Sequence, residues 1–176
     1  MSGSMLTLAL LRHAKSSWSD PVTPDRERPL AARGLADAPL MGKAMAERGL
    51  VPDLVLCSSA RRTRDTLDLV LPELQAEPKV VYEDALYHAS AEEMLDMLHG
   101  LQPGPSRVLL VGHNPEIQSF ALDLVGSGSK AYRERLRTKY PTAGLAVINF
   151  DGGTWSDIAV NSGTLSLFLS PKDLRG

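Results

Sequence analysis

Three short apolar runs constrain this chain most, because none has helical period and each gives way to a cationic or imidazole side chain. Leu6-Thr7-Leu8-Ala9-Leu10-Leu11 runs into Arg12-His13, Leu54-Val55-Leu56-Cys57 is followed one turn later by Arg61-Arg62, and Val108-Leu109-Leu110-Val111 breaks at Gly112-His113. Continuous apolar runs of this length suit strands buried on both faces of a parallel sheet. Helical stretches separate them. One spans about 30–48 and ends at Gly49 as a left-handed cap, with Pro39 expected to kink it or mark its first turn. A second spans about 60–71, with Ser58 and Ser59 as caps and Pro72 as its stop. Ser90-Ala91-Glu92-Glu93 has the spacing of a capping box ahead of the stripe Met94, Leu95 and Leu98, and Gly100 stops that helix. Residues 80–82 read as a weaker strand. Residues 145–150, Asp151-Gly152-Gly153 and a strand from about Trp155 read as an antiparallel hairpin, with 165–169 as a final strand. This order predicts a three-layer α/β/α sandwich with a mostly parallel central sheet and a late antiparallel hairpin.

Size and charge narrow the function. A chain of 176 residues, 43% hydrophobic and 23% charged, can bury roughly 70% of its unfolded surface in one core. No repeat or linker divides it, so 5–176 is expected to be a single domain, with Met1-Ser2-Gly3-Ser4 as a cloning scar or disordered end. The formal charge of −2, from 19 basic and 21 acidic residues, supplies no general field for nucleic acid or anionic membrane. Cys57 is the only cysteine, so there is no disulfide framework, and the apolar stretch before Arg12 is too short for a bilayer span or a signal peptide. The cytoplasm is the expected compartment.

In an open α/β sheet, ligands bind beyond the carboxyl ends of the strands, where helix N-termini offer backbone N–H groups and a positive dipole. Arg12, His13, Arg61 or Arg62, and His113 all fall at such ends. Two arginines and two histidines at one sheet edge suit a phosphoryl group, with a histidine nitrogen as nucleophile and the guanidiniums neutralising its oxygens.

These residues carry a family resemblance. Leu11-Arg12-His13-Ala14-Lys15-Ser16-Ser17-Trp18 resembles the R-H-G motif of the histidine phosphatase superfamily, which includes the cofactor-dependent phosphoglycerate mutases. Ser58-Ser59-Ala60-Arg61-Arg62-Thr63-Arg64-Asp65-Thr66 resembles its S-P-x-x-R-A-x-Q-T element, and Val111-Gly112-His113-Asn114-Pro115 its second-histidine element. Leu86-Tyr87-His88-Ala89-Ser90 and the closing Ser170-Pro171-Lys172-Asp173-Leu174 are most similar to the SixA-like phosphohistidine phosphatase branch. The resemblance implies His13 as nucleophile, Arg12 and Arg62 as phosphate clamps, and His113 as stabiliser of the transferring group. It places Ser16, Ser19 and Asn114 at substrate-binding positions, Ser19 standing where many relatives have asparagine. Ala14 replaces the usual glycine, adding a methyl where the chain turns.

The general acid is the gap. Some branches carry aspartate directly after the second histidine, where this chain has Asn114; Glu83 and Asp84 are the nearest loop carboxylates by chain order. Imidazole leaves a ring-protonated phosphohistidine as a neutral group with a conjugate-acid pKa near ~6.5, so a phosphoramidate can be cleaved without a strong acid. The resemblance therefore points to a phosphohistidine on a protein as substrate, cleaved without metal or other cofactor. The alternatives are a small-molecule phosphomonoesterase and a non-catalytic phosphate-binding module.

Other signals have plainer readings. The sixth residue after Cys57 is Thr63, which breaks the C-x5-R spacing of cysteine phosphatases, so Cys57 reads as a small buried residue. Gly126-Ser127-Gly128-Ser129-Lys130-Ala131 mimics a dinucleotide fingerprint but follows a helix, and reads as a loop. His88 and His99 share no ligand spacing with His13 or His113. His99 reads as a helix-end dipole contact and His88 as a surface or pocket-rim residue. Residues 130–139, with five basic residues against one acidic, read as a solvated face or as the rim that receives an acidic or phosphorylated protein partner.

Overall fold

The apolar runs become adjacent central strands of one seven-stranded sheet. The computed structural model of the protein describes residues 5–175; the four residues read as a scar lie outside this range. The strands are β1 (Leu6–Arg12), β2 (Leu54–Ser58), β3 (Lys79–Glu83), β4 (Arg107–Gly112), β5 (Val125–Gly128), β6 (Leu145–Phe150) and β7 (Gly163–Leu169), in the order β3-β2-β4-β1-β6-β7-β5. The pairs β1/β4, β2/β4, β2/β3 and β5/β7 are parallel, and β1/β6 and β6/β7 antiparallel. Successive side chains of β1 enter opposite cores, Leu8 and Leu10 one, Ala9 and Leu11 the other, which is why the run shows no polar alternation.

Among the described residues six helices cover the two faces: α1 (Ala32–Glu47), α2 (Arg61–Leu74), α3 (Ala91–His99), α4 (Glu116–Leu124), α5 (Lys130–Thr138) and α6 (Pro171–Arg175). Met41 and Met45 of α1 and Leu67 and Val70 of α2 pack with Ala9 and Leu11; Met94 and Leu98 of α3, Ile117 and Phe120 of α4 and Leu136 of α5 pack with Leu8 and Leu10. The three layers follow from crossover handedness. The chain steps outward from β1 to β2 to β3, then turns back to insert β4, and right-handed crossovers place the helices of those two directions on opposite faces. Connections therefore leave β1 and β2 toward one face and β4, between them, toward the other, which opens a crevice at the carboxyl ends of these three strands.

Several local expectations yield to packing. Pro39 neither starts nor ends α1, and Pro72 lies inside α2, which continues to Leu74 and closes at Gln75 with φ 53°. In both helices the buried stripe continues past the proline, through Met41 and Met45 in α1 and to Leu74 in α2, and side-chain burial on that face offsets one lost backbone bond. Ala60, not Ser58 or Ser59, is the N-cap of α2, and it makes no side-chain cap bond. Trp155 lies in a 3-10 turn, Trp155–Asp157, with its indole N–H donating to the Pro105 carbonyl at 2.7 Å, so the partner of β6 in the hairpin is β7. The glycine-rich segment read as a loop forms edge strand β5, because pairing through the backbone needs no side-chain signal. The Ser90 capping box is present, and Gly49 caps α1 at φ 68°. Gly34 lets α1 press on the strand exit: a Cβ there would lie 2.2 Å from the Lys15 carbonyl oxygen. Among the described residues no helix is long and apolar enough to cross a membrane.

Candidate active site

Strand register brings the two histidines together. Arg12 lies opposite Gly112 in the β1/β4 ladder, so His13 and His113 emerge side by side, with ring centroids 5.4 Å apart. Across the other edge of β4, Cys57 faces Val111, and α2 starts just beyond, carrying Arg62 as its second residue. Arg62 is buried, whereas Arg61 points outward and pairs with Asp65. Arg12 is held from beneath, Nη1 donating to the Tyr140 carbonyl at 2.7 Å. These four residues share a cavity of about 180 Å³ with Lys15, Ser16, Trp18, Arg28, Asn114 and Thr142. Among the described residues its lining holds four cationic groups and two imidazoles and no carboxylate.

Hydrogen bonds assign the two rings different tasks. His13 Nδ1 lies 2.7 Å from the Ala14 carbonyl, an acceptor only, so Nδ1 carries the proton and Nε2 keeps its lone pair. His113 Nε2 lies 2.8 Å from Ser58 Oγ, and that oxygen also accepts from the Ala60 N–H at 3.3 Å. Among the described residues His113 Nε2 is the only acceptor in reach of the buried Ser58 hydroxyl proton, so the hydroxyl donates to it and Nδ1–H is left on the ring, buried without a partner among the described residues. One imidazole is a lone-pair donor and the other a proton donor, each fixed by its opposite nitrogen.

Burial holds both rings well below the ordinary imidazole value, to about 3, with Arg12 and Arg62 adding repulsion at each, and His113 at His13. Both are neutral across the physiological range. In the free protein their ring resonances are expected to show no titration from pH 8 to pH 5 by NMR, and an inflection near ~6.5, the unperturbed value, would refute the assignment. The unfolded chain binds these protons near pH ~6.5 and the folded chain only near 3. These sites therefore cost stability progressively as pH falls through that interval.

The loop 16–29 contributes what sequence reasoning missed. Arg28 is buried; its Nη1 donates to Ser16 Oγ at 2.7 Å, its Nε to Asp25 Oδ1 at 3.1 Å, and its guanidinium lies 3.5 Å over the Trp18 ring. Asp25 also accepts from Arg62 Nη2 at 3.2 Å and from the Tyr87 hydroxyl. The Tyr87 hydroxyl foremost, then Arg28 and Arg62, hold its carboxyl down to about 2. The tyrosine meets His113 edge-on, with centroids 5.5 Å apart. Nothing local in the sequence distinguishes Arg28 from Arg26.

The remaining predicted residues divide. Ser16 is buried in the cavity wall, and Asn114 lines it while its Oδ1 accepts from the Gln118 N–H at 3.3 Å. Ser19 is exposed, outside the lining, its hydroxyl 2.8 Å from that of Ser17. Glu83 and Asp84, the loop carboxylates considered as acids, do not reach the cavity. Asp84 is exposed, accepting from Ser59 Oγ and pairing with Arg26 at 2.6 Å, contacts that lower its pKa and keep it ionised. His99 Nε2 bonds the Ile158 carbonyl at 2.8 Å, and the His88 ring meets Tyr87 at a 55° tilt, outside the lining. Burial pushes the Cys57 thiol up to about 12, so it is no nucleophile.

The sequence model of the histidine phosphatase superfamily (branch 1) matches residues 8–94. An uncharacterised protein of Mycobacterium leprae is 34% identical over 167 residues, covering 92% of this chain and all of the relative. The chain belongs to the histidine phosphatase superfamily. Among solved structures, a candidate phosphohistidine phosphatase SixA from Nakamurella multipartitia superposes with a TM-score of 0.83 at 30% identity, covering 97% of this chain and 99% of that one. A second candidate SixA, from Agrobacterium tumefaciens, gives 0.80 at 31% identity, covering 94% and 98%. This histidine phosphatase accommodates Ala14 without strain: the residue is buried, its φ is not positive, and its N–H donates to Thr66 Oγ1 at 3.0 Å.

Proposed function

We propose that this histidine phosphatase removes the phosphoryl group from phosphohistidine on a protein, through a phospho-His13 intermediate and without a metal ion. His13 Nε2 attacks phosphorus as the phosphorus–nitrogen bond of the substrate breaks, and the substrate's ring, protonated beforehand, leaves as neutral imidazole. The His13 ring still carries Nδ1–H on the Ala14 carbonyl, so the phosphorylated ring is cationic and itself a good leaving group. Water then attacks phosphorus, the bond to Nε2 breaks, the proton from water passes to the released phosphate or solvent, and His13 returns to its starting tautomer. Arg12, Arg28 and Arg62 neutralise the phosphoryl oxygens and His113 Nδ1–H donates to one of them.

The observation that carries this reading is the set of contacts around Asp25, whose carboxylate accepts from Arg28, Arg62 and the Tyr87 hydroxyl. It is the carboxylate closest in contacts to the arginine cluster, and its partners hold it ionised, so it has no proton for a poor leaving group. A site of this kind suits substrates whose leaving group needs little help, and the likeness to candidate SixA proteins at 30 and 31% identity favours phosphohistidine among them. With EDTA-treated enzyme, phosphohistidine protein and p-nitrophenyl phosphate are expected to turn over, and glycerol phosphate, whose leaving group is an alkoxide, at least ~10²-fold more slowly in kcat/KM. Comparable hydrolysis of the alkyl ester would make the protein a phosphomonoesterase; phosphate binding without turnover of any substrate would make it a binding module.

A further inference from the structure

A second depression shares a wall with the His13 cavity. It is a groove of about 990 Å³ between the start of α1, α5 and the C-terminal segment, and Thr142 lines both spaces. That wall is tied to the site: Arg33 Nη2 donates to Thr142 Oγ1 at 3.3 Å, and the Ala143 N–H donates to the His13 carbonyl at 3.0 Å.

The groove is cationic on a chain whose net charge is −2. Arg33, Arg135, Lys139, Lys172 and Arg175 line it, against Asp37 and Glu134. Arg33 and Arg175 share one carboxylate, the buried Asp37, and Arg135 is paired with Asp173 at 2.6 Å. Lys139 and Lys172 are exposed and hold no ion pair among the described residues. Five cations against three carboxylates leave a surplus of two at a groove with Phe168, Pro141 and Pro171 in its lining. Of the basic segment 130–139, Arg135 and Lys139 face the groove, whereas Arg133 and Arg137 do not line it.

We infer that this groove receives an acidic stretch of the polypeptide that carries the phosphorylated side chain, docking the substrate protein beside the His13 cavity. The inference rests on the proposed protein substrate and names how that partner is held. Mixed signs beside the half-buried Pro141 fit a polypeptide, which can place carboxylates on the exposed lysines and an apolar side chain on that proline. A nucleic acid would present continuous phosphates to Glu134 and Asp173 as well.

The test compares three substrates: phosphoramidate, a peptide with one phosphohistidine among glutamates, and the same peptide with glutamines. The wild type is expected to show a KM for the glutamate peptide about tenfold below that for the glutamine peptide, a difference that added salt erodes. Lys139→Glu/Lys172→Glu protein is expected to lose that preference while turning over phosphoramidate as the wild type does. Equal KM values for the two peptides in the wild type, or an unchanged preference in the double variant, would overturn the docking role. Fluorescence anisotropy with the unphosphorylated glutamate peptide reads docking without chemistry. If no substrate turns over, yet this peptide binds the wild type and not the variant, the proposed reaction fails and the docking surface stands. Tighter binding of an RNA oligonucleotide than of the peptide, lost in the same variant, would overturn the polypeptide assignment.

Discussion

Alanine at His13 is expected to lower kcat/KM on phosphohistidine protein by roughly 10⁴-fold or more and to abolish acid-labile phosphoryl label on the enzyme. The size of the loss follows from the two tautomers. His13 is the ring whose Nε2 lone pair is left open, because Nδ1 is committed to the Ala14 carbonyl; at His113 the nitrogen facing Ser58 is engaged and the other carries hydrogen. His113 therefore cannot substitute as nucleophile without exchanging its proton and breaking the Ser58 bond. The His13 ring is nearly enclosed, so its removal leaves a gap that water can occupy without becoming activated, since no carboxylate lines the cavity to serve as base. Rapid quench of wild type and variant with labelled phosphohistidine protein, followed by separation under alkaline conditions, checks both parts. Label retained on the His13→Ala protein, or turnover within about tenfold of wild type, would remove the covalent mechanism.

Alanine at Arg62 is expected to cost about 10²–10³-fold in kcat/KM, and lysine to recover little of it. Arg62 is a fork: Nη1 donates to the Asp25 carbonyl at 2.8 Å and Nη2 to the Asp25 carboxylate at 3.2 Å, while its Nε is buried without a partner. The guanidinium thus holds the loop 16–29 against α2 and faces the cavity at once. A lysine supplies a point charge but neither the second arm nor the planar geometry that matches two phosphoryl oxygens. Loss confined to KM would show that Arg62 only binds the ground state; the expected fall in kcat identifies a contact that strengthens as charge builds on the transferring group. Inhibition by inorganic phosphate should weaken in parallel, and an alanine variant with unchanged kcat and phosphate inhibition would take Arg62 out of the site.

Legibility in the sequence tracked how local each determinant is. The core strands were readable because burial on both faces demands an unbroken apolar run, as at Val108-Leu109-Leu110-Val111, and the Ser90 capping box because both its bonds close within one turn. Pro72 misled: it is a breaker by local rule, and the apolar face beyond it, packed against α1 and the sheet, keeps α2 continuous to Leu74, while Pro39 lies within α1 and not in its first turn. Strand β5 carries no side-chain signal at Gly126-Ser127-Gly128, since its partner is the backbone of β7.

The same division holds at the site. Chain order alone placed Arg12, His13, Arg61 or Arg62, and His113 at strand ends or helix starts, because a strand that ends in a polar side chain must end at the sheet edge; the family resemblance singled out Arg62. What the tertiary structure decided was which loop residues join them. Arg26 and Arg28 are two positions apart and chemically alike, yet Arg26 runs outward to Asp84 while Arg28 turns inward onto Ser16, Trp18 and Asp25. Asp25, rather than Glu83 or Asp84, became the carboxylate beside the arginines. The physical reason is range: burial and capping act on neighbours in sequence, whereas the pairing of a charged side chain depends on groups brought near by strand order, here the insertion of β4 between β2 and β1.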